Sequence, residues 1–210
     1  MASYVQADTI SYSNTYGPTA VPFGATAVAL SKFNPALGTL TKVTLQLNAN
    51  TSSGAIAWDN ESGLLTDVDL GIGATVTAVA PLSLITVIAV PMQTGSAFGV
   101  AADNDAAADY IGTDSFSVTG GTGSDSKSAF TTSSLGTFLA TFAGETFDAT
   151  INATLKKMIS TDGGEGLNQT TAGISNGTLT VTYEYTPIPE PVTMSLLGLG
   201  GLGMLLKRRR

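Results

Sequence analysis

The chain contains no cysteine and no histidine. Disulfides, thiol nucleophiles, imidazole bases and a Ser-His-Asp arrangement are therefore excluded, as are the usual nitrogen and sulfur ligand sets of zinc and copper. The missing cysteine is compatible with export without requiring it. Charge is scarce too: only 12% of residues are Asp, Glu, Lys or Arg, about half the share usual in soluble proteins. Of nine basic residues, four are Lys207, Arg208, Arg209 and Arg210 at the C-terminal end; before them five lysines face sixteen acids, a net charge of −11. A domain of that sign lacks the basic footprint that displaces counterions from phosphates, so nucleic acid is excluded as a partner. What remains is carboxylate chemistry, lysine chemistry, or an oxygen-ligated cation such as calcium.

Good surface-helix formers are equally short, and Ala, Thr, Ser, Gly and Val take their place, a composition suited to strands and turns. Hydrophobic residues make up 43% of the chain, which argues against wholesale disorder. Period-two alternation recurs. Val43, Leu45 and Leu47 share one face; Phe147, Ala149, Ile151, Ala153 and Leu155 alternate with polar residues; Leu179, Val181, Tyr183 and Tyr185 do the same. Further strands are predicted over 9–13, 25–30, 54–60, 74–79, 84–90, 114–118 and 138–142. The run 82–90 is more continuously apolar and predicts a strand buried on both faces. Turn-rich breaks separate these segments, at 34–38, 120–123 and 163–166. Roughly eight to ten short strands at this spacing predict an all-β chain with a single β-sandwich over 8–185, jelly-roll-like in topology. A core is affordable at this size, and no long amphipathic helix is present.

The C-terminal segment 186–210 is different. Pro187-Ile188-Pro189-Glu190-Pro191 precedes fifteen residues, 192–206, whose only polar members are Thr193 and Ser195. As a helix this run is about 22 Å long, short of a hydrocarbon core of about 30 Å, with snorkelling of the basic end and local thinning making up the difference. The competing reading, a buried core helix, is disfavoured by Gly198, Gly200, Gly201 and Gly203. Lys207 to Arg210 would stay cytoplasmic and place the preceding domain outside. The prolines stop the last strand and keep the Pro-Glu-Pro stretch extended.

This layout of Pro189-Glu190-Pro191, a glycine-rich apolar segment and a terminal Lys-Arg-Arg-Arg resembles the PEP-CTERM sorting signal of diderm bacteria. The resemblance implies that a membrane-embedded transpeptidase of the exosortase class is the partner, in cells that also make extracellular polysaccharide. Glu190 and its prolines would then be a substrate tag and not a catalytic site.

At the other end, residues 1–7 carry no basic region and no apolar run. Val5 and Ala7 nevertheless stand at the −3 and −1 places of a signal-peptidase site, with Asp8 as the first mature residue. We read 1–7 as the remnant of a signal-peptide cleavage region; an ordinary exposed N-terminus is the alternative.

A second resemblance rests on the segment 32–40, which reads Lys-Phe-Asn-Pro-Ala-Leu-Gly-Thr-Leu, on Asp109-Tyr110-Ile111-Gly112-Thr113-Asp114, on Phe142-Ala143-Gly144, and on the closing Val181-Thr182-Tyr183-Glu184-Tyr185. Together these are similar to the choice-of-anchor E family, β-domains carried in front of alternative surface anchors. That family brings no activity or catalytic residue to carry over.

Several sites compete for attention. Asp103, Asp105, Asp109 and Asp114 form the densest acidic cluster and suit calcium by ligand type. The run lacks the glycine and glutamate of an EF-hand loop, and a solvated acidic loop is the stronger reading. A glycosidase needs two carboxylates about 10 Å apart or less, and none of Glu61, Glu145, Glu165 and Glu184 is singled out by spacing. No catalytic residue is assigned, and no cofactor other than calcium is entertained. Trp58 is read as a core residue in preference to a sugar-stacking platform. Five Asn-x-Ser/Thr sequons, at Asn50, Asn60, Asn152, Asn168 and Asn176, are read as marking exposed positions. The expected function is an exported, non-catalytic surface or matrix protein. The alternative is a carbohydrate-binding or adhesive module.

Overall fold

The computed structural model describes residues 6–104 and 109–188. Their strands are β1 (Asp8–Ala20), β2 (Phe23–Ser31), β3 (Gly38–Ser52), β4 (Ala55–Asn60), β5 (Thr66–Val79), β6 (Thr86–Ala89), β7 (Met92–Val100), β8 (Ser115–Thr119), β9 (Thr122–Thr131), β10 (Thr146–Thr161), β11 (Gly166–Thr171) and β12 (Ile174–Pro187). The only helical pieces among the described residues are three short 3-10 turns, Pro35–Leu37, Pro81–Ser83 and Leu135–Phe138. The described residues are all-β, as the composition predicts.

One sheet has the order β1-β12-β3-β9; a second runs β2-β10-β5-β6, with β7 also paired to β5; a third, smaller sheet is β11-β4-β8. Every ladder is antiparallel and no sheet closes on itself. Counting only the eight strands β1, β2, β3, β5, β6, β9, β10 and β12 in chain order, the large sheets read first-eighth-third-sixth and second-seventh-fourth-fifth. The chain thus crosses repeatedly from one sheet to the other.

The alternation read from sequence fixes the inner faces. Val43, Leu45 and Leu47 of β3 stand opposite Tyr183, Val181 and Leu179 of β12, and all six are fully buried. In the other sheet Ile151 and Ala153 stand opposite Ala78 and Val76, and Ala149 opposite Val28, all buried. These residues belong to one apolar cluster drawn from both large sheets. A one-residue slip would turn each of these faces outward, so burial specifies the register. Tyr183 ties the layers together: its ring lies 5.6 Å from that of Phe33, and its hydroxyl donates to the Ser31 carbonyl at 2.8 Å. Burial raises the phenol pKa.

A second cluster joins Ile56, Trp58 and Val118 of the small sheet to Val68, Leu70, Ile72 and Val100 of β5 and β7. Trp58 is 2% exposed. β10 connects the two regions, starting at Thr146 opposite Ser31 and ending at Thr161 opposite Val68. Its sixteen residues span about 50 Å at roughly 3.3 Å each.

Three expectations are corrected. The segment 138–142 is not a strand: Phe138 closes a 3-10 turn, and Leu139 makes a single parallel bridge to Phe33. The run 82–90 is not buried on both faces. Leu82 sits in a left-handed turn and is 81% exposed, and β6 is a four-residue edge strand whose Ile88 points to solvent while Val87 points inward. The last strand also runs beyond 185, so that Pro187 lies within the sheet, opposite Gly38. Proline at the end of a strand is tolerated because no further ladder donor is needed there.

Candidate functional site

Pro189, Glu190, Pro191 and Lys207 to Arg210 lie outside the described residues, as do the apolar run 192–206, Val5 and Asp105. No helix among the described residues is long and apolar enough to cross a membrane. What the structure does place is the approach to the tag. β12 is paired on one side with β1 and on the other with β3 up to Pro187. One residue later, the Ile188 amide donates to the Leu37 carbonyl at 3.3 Å. Gly38 permits this closure: a Cβ there would stand 2.1 Å from the Thr186 carbonyl oxygen. Ala7 is exposed immediately before β1, and Asp8 opens that strand opposite Tyr185, whose hydroxyl donates to the Asp8 carboxylate at 3.1 Å. Both ends of the domain therefore emerge side by side.

Beside that exit lies a cleft of about 490 Å³. Asn34 and Pro35, from the turn that receives Ile188, form one wall, and the loop Phe142–Glu145 forms another. Two segments singled out in the sequence, 32–40 and 142–144, thus converge in space. Lys32 and Glu145 pair at 2.5 Å across the cleft, and the second Glu145 oxygen accepts from the Thr141 amide at 2.6 Å and its hydroxyl at 2.8 Å. The Lys32 ammonium, followed by the two Thr141 donors, lowers the Glu145 pKa to about 2. Phe142 is 66% exposed at the rim. Glu145 is the sole carboxylate lining the cleft, where a glycosidase needs two.

The proposed calcium residues are dispersed. Asp103 and Asp109 are exposed, and Asp109 accepts the amide of Ile111 at 2.9 Å in an ordinary local turn. Asp114 is 2% exposed; one oxygen accepts the Asn104 amide at 3.4 Å and the other has no hydrogen-bond partner. Among the described residues no three acidic side chains are grouped to hold a metal. Sequence reasoning missed Asp59, 3% exposed, whose carboxylate accepts the Tyr110 amide at 3.0 Å. The sequence offers Asp59 only as a neighbour of Trp58 in a sugar-stacking platform. Buried carboxylates normally need a base or a metal; neither Asp59 nor Asp114 takes part in an ion pair among the described residues.

Both lie at the end of the molecule opposite the tag. That end also carries Glu61, Asp67, Asp69, Asp103, Asp109, Asp162 and Glu165; of the five lysines before the tail, Lys156 and Lys157 stand near it on β10, opposite Gly73 and Ile72, and Lys157 donates to the Asn168 side chain of β11 at 3.1 Å. Asp67, Asp69 and Asp162 line a shallower groove of about 230 Å³ with Phe98, which is 83% exposed. Two of these acids hold backbone amides: Asp67 accepts from Gly99 at 2.8 Å and Asp162 from Asp67 at 2.9 Å.

Trp58 lies in the core and offers no surface platform. The sequons are mixed. Asn50 and Asn168 are exposed, Asn152 and Asn176 half-buried, and Asn60 is 1% exposed, which corrects the reading of every sequon as exposed. The Asn60 amide nitrogen donates to the Leu64 and Ala101 carbonyls at 2.8 and 2.7 Å, and its oxygen accepts from the Ser62 amide and hydroxyl at 3.1 and 2.7 Å.

Comparison with curated proteins finds no match. Among solved structures, one of infectious bursal disease virus, Gx strain, aligns over 92% of this chain and 47% of its own at 10% identity, with a TM-score of 0.13; the chain spans about half that protein's length. Residues 187–210 match the PEP-CTERM protein-sorting motif, and this match, beginning at the last residue of β12, marks the chain as a surface protein sorted by an exosortase.

Proposed function

We propose that the chain is a non-catalytic structural protein of the cell envelope or extracellular matrix, delivered by an exosortase-type transpeptidase that reads Pro189-Glu190-Pro191. In this reading a signal peptide is removed after Ala7, and the apolar run 192–206 anchors the chain in the membrane. Lys207 to Arg210 keep the C-terminus cytoplasmic until the tail is processed. What is displayed is a jelly-roll β-sandwich of the choice-of-anchor E kind, acidic and in contact with extracellular polysaccharide. The observation that carries this reading is the sorting motif at 187–210. The non-catalytic assignment is supported by the cleft beside the tail, whose one carboxylate is tied to Lys32 and Thr141. Intact mass and location of the protein in its native host test the proposal. A mature species starting at Asp8, lacking the residues beyond the tag and found outside the cytoplasm, is expected. An unprocessed cytoplasmic chain would end the export argument.

A second reading, a carbohydrate-binding or adhesive module that uses calcium, is favoured by one observation: Asp59 and Asp114 are buried, neither is paired with a base among the described residues, and one Asp114 oxygen has no hydrogen-bond partner there. A glycan array probed with calcium and again with chelator separates the readings, since a structural spacer binds no sugar under either condition.

A further inference from the structure

The sorting tag has almost no leash. The domain holds its own chain through Pro187, paired with Gly38, and through Ile188, bonded to Leu37. Glu190 is two residues further on, at most about 7 Å away at 3.3–3.6 Å per extended residue. A specific protein-protein contact covers roughly 800 Å² on each partner, a patch far wider than that tether. An enzyme that encloses Pro189-Glu190-Pro191 therefore meets the end of the domain as well as the tag.

From this geometry we infer that the domain's tail-side end, the Asn34–Leu37 turn with the rim of the 490 Å³ cleft and Phe142, is a docking surface for the processing enzyme that reads the tag. The inference rests on the exosortase reading and adds a second recognition element to it. The chemistry of the face fits a protein partner. Phe142 is a large exposed ring beside Pro35 and a cleft able to receive a side chain, and aromatic anchors of this kind dominate protein interfaces. Anionic lipid is a poor match. The two lysines at this end are both neutralised, Lys32 by Glu145 at 2.5 Å and Lys42 by Glu184 at 2.7 Å, whereas attraction to anionic headgroups needs free basic residues. The substrate would be recognised as a composite: the tag supplies specificity, and the rigid end face beside it supplies contact area and orientation.

The test follows the rate of tail processing by intact mass, using the full chain in a host that contains its processing enzyme. Four variants are compared: Phe142→Asp, Phe142→Ala, an eight-residue Gly-Ser insertion between Ile188 and Pro189, and Glu190→Ala. Phe142 is exposed, so its variants keep the fold, which protease resistance verifies. Slowing of at least about fivefold is expected for Phe142→Asp, the loss typical of an interface anchor, with a smaller loss for Phe142→Ala. The insertion should slow processing and make it insensitive to residue 142, because the face is no longer held beside the tag. Unchanged rates in the Phe142 variants, or faster processing after insertion, would overturn the inference; the second result would mean that the domain merely obstructs the enzyme. Normal processing of Glu190→Ala would instead refute the tag reading itself.

Discussion

Asn60 is the residue at which the far end of the domain is most exposed to a single change. Its side chain is 1% exposed and makes four hydrogen bonds, two to carbonyls of different segments, Leu64 and Ala101, and two from Ser62. Its own backbone amide also donates to the Asp114 carbonyl at 2.9 Å. Asn60→Ala deletes the four side-chain bonds and takes from the Ala101 carbonyl its amide donor, while the Leu64 carbonyl keeps only the longer contacts from the Ser62 and Thr66 hydroxyls at 3.4 and 3.3 Å. A net hydrogen bond contributes about 1 kcal/mol and a stranded buried acceptor costs about 1–3 kcal/mol, so a loss of about 3 kcal/mol is expected. For a protein of this size that corresponds to a Tm lower by about 6–12 °C. Asn60→Asp keeps the shape but replaces the two-fold donor by an oxygen facing two carbonyl oxygens, in a region already carrying the buried Asp59 and Asp114, and should cost more. Urea titrations followed by circular dichroism measure both. A loss under about 1 kcal/mol for Asn60→Ala, or an Asp variant as stable as the Ala variant, would refute the idea that this amide staples the two loops. The same geometry predicts that Asn60 is not glycosylated in the folded protein even where Asn50 and Asn168 are.

Tyr183→Phe should destabilise the domain by about 1–2 kcal/mol, because it strands the Ser31 carbonyl between the sheets; a change within error in urea denaturation would show that water replaces the hydroxyl. Glu145 has its folded pKa lowered from 4.5 to about 2, so its contribution to stability is fully present above about pH 4.5 and is lost as pH falls through about 2. The stability gap between wild type and Glu145→Gln should therefore be flat from pH 8 to 5 and close below pH 4.5, and a gap that widens in acid would refute the pairing with Lys32. Trp58, the single tryptophan, should emit at short wavelength and resist acrylamide quenching until the protein unfolds; ready quenching in the native state would place it at the surface.

The central strands were legible because burial leaves a period-two signature that single residues display plainly. Val43, Leu45 and Leu47, and the matching set on β12, could not have faced solvent without exposing an entire apolar row. The strands that escaped notice are β7, β9 and β11, each paired on one side only within its sheet. An edge strand such as β9, with the sequence Thr-Gly-Ser-Asp-Ser-Lys-Ser-Ala-Phe-Thr, gains its place from the ladder to β3 and not from side-chain burial, so its sequence carries little alternation. Phe138–Phe142 misled for the opposite reason. Phe138 is buried by a turn packed on Phe147 and Leu139 is bridged to Phe33, while Phe142 is exposed, an arrangement with the composition of a strand and none of its period. For the site, the tag was readable as a linear motif, whereas the cleft was not, because it joins Lys32 to Glu145 across 113 residues. Asp59 was hidden because a loop, and not a partner strand, covers its outward face.

The placement of charge along β10 follows from the connections of the strands. The sorting tail leaves from the β12 end, where Lys32 and Lys42 are found, each paired with a glutamate. Acids lie at both ends of β10: Asp8 and Asp148 near the tail, and Asp59, Asp67, Asp69, Asp114 and Asp162 near the other end, about 50 Å away by strand length. That separation is several Debye lengths at physiological salt, where screening acts over about 8 Å. With the chain tethered at Pro187, any negatively charged surface at the tethered end leaves the acidic tip electrostatically unaffected, and the tip points away from it. Self-repulsion among the tip acids remains, and it is the part of the molecule where a divalent cation or a basic partner would gain most. The end where the tail emerges and the far end of β10 are therefore separated along the strand direction by more than the screening length, so a charge change at one is not felt at the other.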